Sequence, residues 1–181
     1  RLITDISQAS RVEAELAQTD RDNVDFRALL DSWVSMMSDR YPYIKLSWNQ
    51  DDENQDKANF QVSIHTGRII QILDNLLANA ISFNPPNKQI ELELKIIGKN
   101  KNKICFSIRD HGPGIQGANL DAIFSRFYTQ RPDDEAFGHH SGLGLSIARQ
   151  IAEAHGGHLY AGHAPENGAI FFLELPLAKQ P

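Results

Sequence analysis

A two-layer α+β sandwich, with three main helices on one face of a mixed sheet, is the fold this sequence predicts. Three observations predict it. Thr66 to Phe83 repeats apolar residues at helical spacing, with Ile69, Leu73, Leu76, Leu77 and Ala80 on one stripe. Ile90 to Ile97 and Lys103 to Asp110 alternate apolar and polar residues on either side of the loop at 98–102, as paired strands do. Gly157 to Ala164 and Gly168 to Leu175 form a second hairpin around Pro165-Glu166-Asn167. Each such element has one apolar face to bury, and helices and hairpins in this order bury theirs against each other in layers. The 181 residues are enough for one good core, or for one domain with an appendage.

Taken in order, residues 1 to 18 read as a helix with a narrow seam, Leu2, Ile6, Ala9 and Leu16, interrupted by Glu13. That is nearly coiled-coil spacing, and so narrow a seam buries little within this chain. The expectation is pairing with a helix outside this sequence; the alternative is a solvated helix packed on its own domain. The polar stretch Gln18 to Asn23 marks a boundary near residue 20. A helix follows over Phe26 to Asp39, with Leu29, Leu30, Trp33, Val34 and Met37 inward, then a strand over Tyr43 to Trp48. Asp51 to Asp56 reads as an exposed acidic turn without a role, and Asn59 to Ser63 as a short strand before the long helix. The lysines at 99 and 101 solvate the first hairpin loop. Near the end, Leu143, Leu145, Ile147, Ala148, Ile151 and Ala152 predict an amphipathic helix, which His155-Gly156-Gly157 closes with a glycine cap.

A net charge of −5 and a pI near 5.8 argue against nucleic acid as a partner. The single cysteine, Cys105, cannot form an internal disulfide, which fits a reducing cytoplasm. No apolar run approaches the roughly 20 residues needed to cross a bilayer, and no signal peptide is visible. The chain begins at Arg1, already inside a helical pattern, so it is expected to be a piece of something longer, with any membrane segment in the remainder.

Four stretches carry candidate chemistry. In HHSGLGLSI, Gly142 and Gly144 open the last helix, whose free N–H groups can hold an anion such as a phosphate; the plainer reading is a helix capped by Ser141. Asn75 and Asn79, spaced i and i+4, lie together at the edge of the long helix's stripe, where asparagine is a poor helix former. Their carbonyl oxygens suit a Mg²⁺ shared with phosphate, or else they tie down a loop. Asp110 continues the apolar register of Ile104, Phe106 and Ile108, which is costly unless a donor meets it; adenine's amine would, and a turn cap would explain it too. The 26 residues from Gln116 to Ser141 hold one short helical pattern, Leu120 to Tyr128, and read as a lid. Arg126 and Arg131 could reach phosphates from it, though ordinary surface arginines would look the same. His139 and His140 have no further ligands at metal spacing.

The order of the motifs is more specific than any one of them: NLLANA, DHGPGI, FSRFY, SGLGLSIA, HGG. Over residues 24 to 177 the chain resembles the catalytic ATP-binding domain of two-component sensor histidine kinases. These belong to the Bergerat-fold (GHKL) ATPase superfamily, with DNA gyrase, the large heat-shock chaperones and the MutL proteins. SFNPP and FYTQRPDDEAFGHHSGLGLSIARQI further resemble the ChvG, ExoS and BvrS group of alphaproteobacterial envelope-stress kinases. Residues 1 to 20 are similar to the end of the second helix of a dimerisation and phosphoacceptor domain, which leaves 21 to 178 as the catalytic domain with its lid at 116 to 141.

The resemblance implies that Asp110 accepts from the adenine amine, with Phe83, Gly112, Gly114, Ile115 and Phe127 around the base and Phe124 and Phe127 anchoring the lid. It implies Mg²⁺ on Asn79 and Asn75, ATP phosphates on the backbone of Ser141, Gly142, Leu143, Gly144 and Leu145, and Arg126 or Arg131 facing the phosphates or the phosphoacceptor domain. The implied partners are that domain, a second copy in a homodimer and a cognate response regulator, and the implied place is the cytoplasmic side of a bacterial inner membrane. Two departures stand out. Ser82 replaces the lysine usual three residues after the metal asparagine, and none of the seven histidines sits in a phosphoacceptor motif. A kinase module, a free-standing ATPase clamp and a module that has lost nucleotide are therefore the three readings to separate.

Overall fold

Strict alternation sets up the sheet. In the computed structural model, which describes residues 21–50, 59–115, 120–128 and 142–178, Ile90, Leu92 and Leu94 on one strand and Ile104, Phe106 and Ile108 on the next are fully or almost fully buried. The elements run β1 (Asp22–Asp25), α1 (Phe26–Arg40), β2 (Leu46–Gln50), β3 (Gln61–Ile64), α2 (Thr66–Phe83), β4 (Ile90–Ile97), β5 (Lys103–Arg109), a 3₁₀ turn (Leu120–Phe124), α3 (Gly144–Ala154), β6 (His158–His163) and β7 (Ala169–Pro176). Five strands form one mixed sheet in the order β2-β4-β5-β7-β6, in which only the β2–β4 pair is parallel. Register aligns Leu94 with Phe106, Phe106 with Leu173, and Leu173 with Leu159, one apolar row across four strands.

Against that face pack the stripes of the three helices: Phe26, Leu30, Trp33 and Met37 from α1, Ile69, Ile72, Leu73, Leu76 and Leu77 from α2, and Ile147, Ala148, Ile151 and Ala152 from α3. Trp33 meets Phe106 edge-on at 6.5 Å, and its indole N–H donates to Asp74 Oδ1 at 2.9 Å, so the largest core side chain keeps its one polar atom satisfied. The other face of the sheet carries ion pairs, Lys95–Glu93, Lys103–Glu174 and Arg109–Glu91. The two-layer α+β sandwich expected from the sequence is the architecture observed.

Several boundaries differ from the sequence reading. The first strand of the main sheet is Leu46–Gln50 rather than Tyr43 to Trp48; Tyr43 lies in a turn and is largely exposed. The strand expected at Asn59 to Ser63 runs Gln61–Ile64, because Asn59 turns the chain by accepting the Gln61 N–H. β5 ends at Arg109, one residue before Asp110, although the Asp110 N–H still donates to Ala169 O. The polar stretch taken as a boundary runs into β1, which pairs antiparallel with β3. The expected helix at 1–18, the acidic turn within 51–58 and most of the 116–141 segment lie outside the described residues.

Candidate nucleotide site

Asp110 is 2 % exposed, and both of its hydrogen bonds converge on one oxygen: Oδ1 accepts from the Gly112 N–H at 2.9 Å and the Ala169 N–H at 3.2 Å. Oδ2 has no hydrogen-bond donor among the described residues. Nearby, Glu91 accepts from Arg109 at 3.2 Å on one oxygen and meets the His111 ring at 3.0 Å with the other. Burial raises the Asp110 carboxyl above its usual range, and the two N–H donors, with His111 and Arg109 nearby, only partly oppose it. A buried acid with one anchored and one unpartnered oxygen is arranged to receive a donor.

The loop after Asp110 has little room for side chains. A Cβ on Gly112 would lie 2.5 Å from Phe83 O, and one on Gly114, at φ +77°, would lie 3.0 Å from Gly168 O. The His111 N–H donates to Asn84 Oδ1 at 2.9 Å, which fastens this loop to the C-terminal end of α2. Ile115 is half-buried against the core, and Phe83 remains 40 % exposed beside Gly112.

Further back along α2, Asn75 Nδ2 donates to Gly144 O at 3.2 Å, and a Cβ on Gly144 would lie 3.3 Å from Asn75 Oδ1. Asn75, Asn79 and Phe83 are spaced i, i+4 and i+8, so one line of the helix touches the α3 tip at one end and the Asp110 loop at the other. Eight residues of helix span about 12 Å. Asn79 sits midway, half-buried, and neither it nor Asn75 has a donor at its side-chain oxygen among the described residues.

α3 starts without a side-chain cap. Its cap residue is buried Leu143, preceded by Gly142 at φ +68°, and the first intrahelical bond runs from the Ile147 N–H to Leu143 O at 2.9 Å. The N–H groups of Gly144, Leu145 and Ser146 have no acceptor among the described residues. They leave a tip of free donors beside Asn75, an arrangement that can hold an anion. Of the segment before it, Phe127 is exposed with its N–H donating to Gly142 O at 3.1 Å, and Arg126 is exposed. Phe124 is buried edge-on to Phe171. Arg131, His139, His140 and Ser141 lie outside the described residues.

Sequence reasoning assigned His155 nothing beyond a helix end. The glycine cap forms as expected, with the Gly157 N–H donating to Ala152 O at 2.9 Å. His155 is nevertheless buried, donating from Nδ1 to Ile151 O at 2.7 Å and accepting at Nε2 from the His65 N–H at 3.0 Å. It ties the C-terminal end of α3 to the residue that opens α2. Adjacency to two glycines hid that bridge, because it joins positions 90 residues apart.

Residues 65–179, more than half of the chain, match the family described as histidine kinase-, DNA gyrase B-, and HSP90-like ATPase. The chain is 42 % identical over 188 residues to the sensor protein ChvG of Agrobacterium fabrum, covering 99 % of this chain and 31 % of the relative. It is 44 % identical over 191 residues to ChvG of Rhizobium meliloti, covering 100 % of this chain and 32 % of that relative. It thus spans about a third of the length of these relatives. Among solved structures it is similar to the nucleotide-free catalytic domain of the histidine kinase ThkA, with TM-score 0.70 and 25 % identity over 87 % of this chain and 98 % of that one. It is also similar to full-length ShkA in complex with AMPPNP, with TM-score 0.77 and 26 % identity over 99 % of this chain and 36 % of that one. The match over residues 65–179 and the identity to these sensor proteins along nearly the whole chain place it in the histidine kinase-, DNA gyrase B- and HSP90-like ATPase family, as an ATP-binding catalytic domain of the sensor histidine kinase type.

Proposed function

We propose that this chain positions Mg-ATP for transfer of the γ-phosphoryl group to a histidine on a dimerisation and phosphoacceptor domain, to which residues 1 to 20 belong. The observation that carries the reading is that one line of α2 meets Gly144 through Asn75 and Gly112 beside Phe83, about 12 Å apart. A nucleotide lying along that line puts its base at Asp110 and its phosphates at α3.

Asp110 Oδ2 accepts from the adenine amine, while Gly112 and Gly114 keep the backbone close to the ring and Phe83, Ile115 and Phe127 border it. The N–H groups of Gly144 and Leu145, with the backbone of Ser141, Gly142 and Leu143, receive phosphate oxygens. Asn79 and Asn75 offer neutral oxygens that fit Mg²⁺, which when bound offsets phosphate charge. Arg126 and Arg131 face the phosphates or the incoming phosphoacceptor domain. With Ser82 in place of a lysine, these arginines supply the cationic contact that the helix lacks. In the reaction the bond from the γ-phosphorus to the bridging oxygen breaks as the histidine nitrogen bonds to phosphorus, and ADP leaves. This chain's share is positioning and electrostatics.

The wider protein is proposed to work as a homodimer at the cytoplasmic face of a bacterial inner membrane, passing its phosphoryl group to a cognate response regulator. A free-standing ATPase is disfavoured at Asn75, because an amide that donates to Gly144 O cannot take a proton from an attacking water. The test is incubation of this chain and Mg-ATP with its own dimerisation domain. Acid-labile phosphohistidine on that domain is expected, and Asn79→Ala should abolish both transfer and the Mg²⁺ requirement of binding. Bound ATP without phosphohistidine contradicts the kinase role, rapid hydrolysis by the chain alone favours the ATPase clamp, and no ATP binding favours a module that has lost nucleotide.

A further inference from the structure

The segment Leu120–Tyr128 precedes the phosphate-binding turn and is fastened to it at two points. At the first, Arg149 in the second turn of α3 makes three contacts. Its guanidinium carbon lies 3.8 Å from the Phe124 ring centroid, its Nη2 donates to Asp121 Oδ1 at 2.8 Å, and its Nε donates to Leu159 O at 3.1 Å. Phe124 and Ile123 are buried beneath this clamp. At the second point, the Phe127 N–H donates to Gly142 O, and a Cβ on Gly142 would lie 3.0 Å from the Phe127 backbone. Phe127 holds φ +64°, a conformation that a non-glycine residue keeps only when its surroundings impose it.

Resting on the nucleotide reading above, we infer that Arg149 is a positioning residue for the phosphate turn. By clamping Leu120–Phe124 onto α3 and β6, it holds Phe127 against Gly142 and so sets the backbone that meets the phosphates. Arg149 itself never touches the nucleotide. The Asp121 pair alone is too exposed to hold the segment, because solvent screens it. The stacked guanidinium and its bond to a strand carbonyl make the clamp directional, and a lysine cannot make all three contacts at once.

The experiment titrates wild type, Arg149→Ala and Arg149→Lys with Mg-ATP by calorimetry and with adenosine by chemical-shift changes. The alanine variant should lose about tenfold in Mg-ATP affinity, with adenosine binding held within about twofold of wild type. The lysine variant should fall between, at about threefold for Mg-ATP. Equal losses for both ligands mean a merely structural arginine and overturn the inference, as does unchanged Mg-ATP binding. Should the alanine variant fail to fold, the lysine variant decides: a selective Mg-ATP loss supports the clamp, and wild-type affinity refutes it. Absence of Mg-ATP binding in wild type, or adenosine binding by Asp110→Ala equal to wild type, strikes instead at the nucleotide reading.

Discussion

Folding disfavours the ionised form of Asp110. Burial raises its carboxyl above the usual range, so its stabilising contribution is present below that range and is lost as pH rises through the raised value. Above that raised value the ionised acid therefore costs stability. Asp110→Asn keeps an oxygen for the Gly112 and Ala169 N–H groups, so its thermal midpoint without nucleotide should exceed wild type at pH 7, and the gain should shrink at pH 3. A midpoint below wild type at pH 7 would show that the charge stabilises the fold. The opposite case is His155, whose imidazole is pushed down from its usual value near 6.5 by burial, with His65 and Arg21 adding to the effect against the Ile151 carbonyl. A depressed imidazole contributes stability that is whole above about pH 6.5 and drains as pH falls toward its lowered value. Urea midpoints measured across that window should decline in wild type and more shallowly in His155→Gln; parallel declines would assign the loss to other groups. Asp110 was legible because alternation fixes which face a strand residue takes. The Asn75–Gly144 bond and the His65–His155 bond were not, because no local period encodes contacts between residues so far apart in sequence.

Among the elements, α2 was legible to both ends. Its apolar stripe runs from Ile69 to Ala80, about three turns, and Thr66–Phe83 is the observed span. Its sequence also leaves one position improvable: Gly67, in the first turn, has nothing within 4 Å of where a Cβ would stand. Gly67→Ala should raise stability by about 0.4–1 kcal/mol, read as a higher urea midpoint with an unchanged slope. Gly157→Ala is its counterpart, because the added carbon would lie within 2.1 Å of Glu174 O. That variant should lose at least about 2 kcal/mol, and one as stable as wild type would mean that the α3–β6 junction gives way easily. β1 shows where pattern reading fails. Asp-Asn-Val-Asp has little strand character of its own, and a backbone ladder to β3 alone makes it a strand. β2 shifted for a related reason, since a short strand at a sheet edge takes its register from β4.

For the whole molecule, the order of the motifs carried more than the motifs did. Each had a plain structural alternative in the sequence, and the fold adds their arrangement: the Asp110 loop and the α3 tip both meet α2, which carries the asparagines. The layered architecture followed from periodicity, whereas the parallel placement of β2 and the clamp at Arg149 depend on packing between distant elements. In the proposed function Asp110 and the α3 tip hold opposite ends of one nucleotide. Calorimetric titration of Mg-ATP into wild type and Asp110→Ala tests it most directly. Wild type should show one saturable site, and the variant should be weaker by about tenfold to a hundredfold, the loss of a charge-assisted hydrogen bond worth roughly 1.5–3 kcal/mol. Equal affinity in the two proteins, or no binding in either, would contradict it.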